Sequence, residues 1–99
     1  MFKNMFNNKP IVDLKTYLPK IGVWVSTVAW NMEIGVGRYA ETMVFRGNKE
    51  GITNWREIYF ESHGYTTDKE ILTKEHNRIV EGIKNNTITL DRMDEYGKT

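Results

Sequence analysis

The stretch from Ile21 to Arg46 constrains this chain most, because it reads as a long β-hairpin whose first strand is apolar on both faces. Within Val23 to Trp30, β-branched and aromatic residues dominate, and they suit a pleated surface better than a helix, where their side-chain freedom is lost. Alternation puts Ile21, Val23, Val25, Thr27 and Ala29 on one face and Trp24, Ser26, Val28 and Trp30 on the other. Neither set suits water, so the strand needs cover on both sides. The connecting segment Asn31 to Arg38 carries Gly35 and Gly37. With no helix pattern after it, ordinary hairpin geometry is expected there rather than a phosphate cradle.

The flanking segments supply the cover. Residues 1–20 hold both prolines, Pro10 and Pro19, and read as an extended, locally basic N-terminal arm, with one helical turn over Asp13 to Leu18 as the alternative. After the hairpin, Ile52 to Ser62 reads as a third strand, with Arg56, Ile58 and Phe60 on one face and Trp55, Glu57, Tyr59 and Glu61 on the wetter one. Thr67 followed by Glu70 predicts a capping box, and Ile71, Leu72, Ile79, Val80 and Ile83 recur at helical spacing up to Lys84. His76 points toward that apolar stripe. Thr87 to Asp91 alternates as a short edge strand would.

These elements predict one α+β domain: an antiparallel sheet of three to four strands, made by residues 21–62 and a possible edge strand over 87–91, with one amphipathic helix over 67–84 on one face. Such a helix is about 25 Å long and covers only part of one face. The other face is expected to meet the arm, a partner, or a second copy of the chain, which favours a homodimer.

Composition removes several classes. The formal charge of +1 gives no general pull toward nucleic acid. No cysteine is present, and His63 and His76 lie without metal-ligand spacing, so neither a metal nor a cofactor is expected. No run is apolar enough to cross a membrane, and a soluble, cytoplasmic protein is the expectation.

Two constellations can carry chemistry. Glu41 with His76, near Ser26 and Thr27, forms either a structural hydrogen bond between helix and sheet, a grip on a ligand, or a general base. Trp24, Trp30, Trp55, Tyr39, Tyr59 and Tyr65, with Arg38, Arg46 and Arg56, are residue types that stack bases and hold phosphates, or else simply fill a small core.

Val25-Ser26-Thr27-Val28, Glu41-Thr42-Met43-Val44-Phe45, and the segment from Tyr65-Thr66-Thr67-Asp68 to His76 together resemble a family of small, mostly uncharacterised phage proteins. The resemblance covers about two thirds of the chain and departs from the family in the loop after the first strand. It implies phage origin and a compact α+β protein, and brings no activity residue by residue. Together with the small size and the absence of a catalytic motif, it leads to a counter-defence protein that sequesters a small nucleotide-like immune signal without turnover. The expected ligand-binding residues are Trp24, Ser26, Thr27, Trp30, Arg38, Glu41, Arg56, Tyr65 and His76. An inhibitor docking on a host defence or metabolic protein is the alternative, and a small hydrolase using Glu41 and His76 the third reading.

Overall fold

The computed structural model describes residues 10–30 and 39–93 of the 99-residue chain. It contains β1 (Val12–Leu18), β2 (Val23–Trp30), β3 (Tyr39–Asn48), β4 (Gly51–Gly64) and one helix, α1 (Lys69–Lys84). The four strands form one antiparallel sheet in sequence order, and α1 packs across β1 and β2. This is the α+β architecture of a meander sheet with a helix on one face.

The segment read as an arm departs from expectation. Residues 12–18 pair along their whole length with β2, from Val12 opposite Ala29 to Leu18 opposite Val23. Val12, Leu14, Thr16 and Leu18 alternate with Asp13, Lys15 and Tyr17, the period of a half-buried strand. The prolines on either side mark the ends of the strand rather than break it. Residues 12–18 therefore widen the sheet, while residues 1–9 of the expected arm lie outside the described residues.

Four strands in register give the sheet two distinct sides. Facing α1 are Val23, Val25, Thr27 and Ala29 of β2 with Ala40, Thr42 and Val44 of β3, all buried. From the helix, Leu72, His76, Ile79, Val80 and Ile83 meet them, while Ile71, expected in the stripe, is 54% exposed. Asp68, not Thr67, is the N-cap: its side chain accepts from the backbone N–H groups of Glu70 and Ile71. Shifting the cap by one residue rules out the capping box, because Glu70 then stands one place too early to reach back.

The expected alternation in β4 is broken by register shifts between Val44 and Gly47 of its partner. Tyr59 and Phe60 consequently both pack against the helix-side core. Beyond α1 the chain turns at Asn86, whose φ is 62°, and folds back so that Ile88 and Leu90 reach the same core. Gly82 permits this, since a Cβ there would lie 2.7 Å from Ile88 Cδ1. The segment expected as an edge strand over 87–91 is not a strand, yet the N–H groups of Asp91 and Met93 donate to the carbonyls of Tyr59 and Ile58 on the edge of β4.

Candidate functional site

The sheet's two sides separate the residues that the sequence grouped together. On the helix side, His76 is 3% exposed and both its ring nitrogens meet threonine hydroxyls. Nε2 lies 2.8 Å from Thr16 Oγ1 and Nδ1 lies 2.8 Å from Thr27 Oγ1, which is itself 2.8 Å from Thr42 Oγ1. Three strands and the helix are thus tied by one buried polar chain. Burial, and secondarily the charge on Lys15, pushes the imidazole below its usual range and favours the neutral form. A neutral ring donates from one nitrogen and accepts at the other, and rotatable hydroxyls match either tautomer.

Glu41 takes no part in this chain. Thr42 faces the helix, so its neighbour Glu41 faces the other way, where its Oε1 lies 3.5 Å from His63 Nε2. Glu61 Oε2 lies 3.0 Å from the same nitrogen. The expected Glu41–His76 pair is therefore corrected to two separate histidine sites, and a general base built from that pair has no geometric footing.

The side of the sheet away from α1 is laid out in rows by the strand register. Lys15, Ser26, Met43 and Glu61 form one row, and Asp13, Val28, Glu41 and His63 the next. Small side chains at Ser26 and Val28 leave a hollow along β2 of about 310 Å³. Trp30 closes one end, and the other is closed by Phe45 with Trp55, whose rings meet edge to face at 4.9 Å. Trp55 is 60% exposed.

At the floor, Ser26 is only 5% exposed and, among the described residues, its hydroxyl has no hydrogen-bond partner. Its neighbour Thr27, pointing to the opposite side, has two. On the rim, the Lys15 ammonium is ion-paired with the Asp13 carboxylate.

The remaining expected site residues fall elsewhere. Trp24 lies beyond the hollow, stacked on Tyr17 at 5.1 Å, its indole N–H donating to Asn48 O at 2.7 Å. Arg56 and Tyr65 are exposed and do not line the hollow, and Arg38 lies outside the described residues. Arg46, named for phosphate, donates to Glu57 Oε2 at 2.7 Å and to Tyr59 Oη at 2.8 Å, and Tyr59 donates to Glu57 as well. These bonds hold the Glu57 carboxyl below its usual range and the Arg46 guanidinium above its own.

The structure thus brings together Ser26, Trp30 and Glu41 in one hollow and Thr27 with His76 in another place. The sequence reading missed Asp13, Lys15, Phe45 and Met43 at the first site and Thr16 and Thr42 at the second. Strand register was the missing signal, because it alone sets which residues of separate strands share a row.

A larger hollow, about 560 Å³, lies where the β1–β2 turn meets the end of α1, between Leu18, Ile21 and Ile83. Its polar members, Lys20, Lys84 and Asn86, are all exposed, so no buried polar group gives it a chemical direction. Among the described residues no cluster of three metal-ligating side chains occurs, and no helix is long and apolar enough to cross a membrane. No known protein family matches the sequence, and no curated protein or solved structure matches it.

Proposed function

We propose that this chain is a binding protein that holds a small ligand with a flat face in the hollow over β2, without turning it over. The observation that carries the reading is Ser26, a residue 5% exposed whose hydroxyl is still reached by solvent and has no partner among the described residues, set at the floor between aromatic walls. Pockets that fix small ligands combine an apolar lining with a few such convergent polar groups. The Glu41–His76 pair that the hydrolase reading would use is not formed, since His76 is closed off from the hollow on the far side of the sheet. In the phage setting that the resemblance implies, such a protein acts by sequestering a host defence signal. A nucleotide-like signal would enter base first, with its phosphates turned outward from Asp13 and Glu41.

A thermal-shift screen with nucleosides, nucleotides, cyclic dinucleotides and simple aromatic compounds tests this. A ligand at ~100 times its dissociation constant adds ~2.7 kcal/mol and raises the midpoint of a small domain by several degrees. Substituting Trp30→Leu should remove the shift. No response to any flat ligand would contradict the reading.

Direct docking on a protein, whether a host protein or a second copy, is the second reading. It is favoured by Ile11 and Trp55, 51% and 60% exposed. Light scattering over a dilution series separates the two partners: a dimer that dissociates on dilution, and that Trp55→Ser weakens, supports self-association.

A further inference from the structure

We propose that the hollow over β2 is built for a small organic cation, an amidinium, guanidinium or alkylammonium head, with Ser26 Oγ at its inner end and Asp13 and Glu41 on its flanks. This rests on the hollow being a ligand site, and it names the charge of what enters.

Three independent features agree. The first is Ser26. The residue is 5% exposed, lines the hollow, and its hydroxyl, still reached by solvent, has no partner among the described residues, so a ligand that displaces water there can complete one hydrogen bond at the floor.

The second is the distribution of charge. Asp13 and Glu41 stand on either side of Val28, and Glu61 lies beyond Met43 in the row of Ser26. Against these three carboxylates stand the Lys15 ammonium, ion-paired with Asp13, and the His63 imidazole, which lies between Glu41 and Glu61. Among the described residues around the hollow, carboxylates outnumber ammonium and guanidinium groups, although the chain as a whole carries +1.

The third is the wall chemistry. Trp30, Phe45 and Trp55 present aromatic rings, whose faces are electron-rich and attract cations.

An anionic group placed inside the hollow meets the opposite of what it needs. No arginine lines the hollow among the described residues, and Arg46 is held outside it by Glu57 and Tyr59. A neutral flat ligand gains the stacking alone. A cation gains stacking, the ring faces and the carboxylates together.

Benzamidinium, benzamide and benzoate have the same shape and differ in charge, so they serve as probes, with adenosine monophosphate as a fourth. Each is titrated into the full chain while the tryptophan indole N–H resonances are followed by NMR. The expected result is saturable movement of the Trp30 and Trp55 signals with benzamidinium, at least ~10-fold tighter than with benzamide, and none with benzoate. Ser26→Ala and Glu41→Gln should each weaken benzamidinium several-fold while leaving the folded spectrum intact.

If benzoate or the nucleotide moves the same signals at lower concentration than benzamidinium, the charge assignment is overturned and the hollow stands as a ligand site of another specificity. If benzamidinium moves only signals away from Trp30 and Trp55, the assignment is likewise overturned. Unmoved tryptophan signals with all four probes would remove both the assignment and the hollow's role.

Discussion

Ser26 and Thr27 are neighbours on one strand, and they show how differently the two sides of this sheet are used. Thr27 is fully buried and its hydroxyl is shared between His76 and Thr42. Ser26 is almost as buried, and its hydroxyl has no protein partner among the described residues. On the helix side the buried hydroxyls of Thr27 and Thr42 and the His76 ring are answered from within the chain, which is how buried groups recover the hydration they lose. On the open side a polar group is left at the bottom of an aromatic hollow. The contrast teaches that burial alone does not mark a core: what matters is whether the chain completes its own chemistry there.

The most severe way to test that division is to remove volume on each side. Ile79 is fully buried under the sheet, and Ile79→Ala should cost about 2–5 kcal/mol in urea denaturation. Trp55→Ala, at a ring 60% exposed on the open side, should cost far less despite the larger side chain lost. Equal losses would break the comparison.

Next in size is the polar chain. His76→Leu leaves the hydroxyls of Thr16 and Thr27 without their imidazole partner, and should cost roughly 1–3 kcal/mol by the same measurement. Gly82→Ala should destabilise by about 1 kcal/mol or more although alanine favours helices, because the added methyl would meet Ile88 at 2.7 Å.

The pH dependence is smaller but sharpens the account. The His76 pKa in the folded chain lies below the ordinary value of 6.5, so between the two values the unfolded state binds more protons. The stability contributed by the neutral ring is therefore complete above 6.5 and is lost as pH falls from there through the folded value. Glu57 and Glu75, whose folded pKa values lie below 4.5, lose their contributions in a more acid window. Denaturation curves for the wild type and His76→Leu should converge as pH falls below 6.5, and parallel curves would show that His76 does not titrate with folding.

How far the sequence revealed this follows from which signals are local. The hairpin strand Val23 to Trp30, the helix over 69–84 and the inward turn of His76 were legible because each rests on a short-range period. Strand β1 is legible in principle, since Val12 to Leu18 alternates cleanly, but Pro10 and Pro19 favour an arm when the segment is taken alone. Regular alternation puts Tyr59 on the wetter side, and the bulge opposite Val44 to Gly47 reverses that. The pairing of Glu41 with His76 failed on parity. A residue one place from Thr42 cannot share its side, and only the register of β2 with β3 shows that Thr42 is the one opposite Thr27. The hollow itself depends on rows across three strands, a relation that no stretch of sequence contains.

The most direct test compares the two hydroxyls by equilibrium denaturation of Thr27→Val and Ser26→Ala. Thr27→Val keeps the shape of the side chain and strands His76 and Thr42, so a loss of at least about 1 kcal/mol is expected. Ser26→Ala should leave stability within about 0.5 kcal/mol of the wild type, since no bond within the chain is broken. Matching losses at the two positions would mean that Ser26 is already satisfied inside the chain, and the division between the two sides of the sheet would not hold.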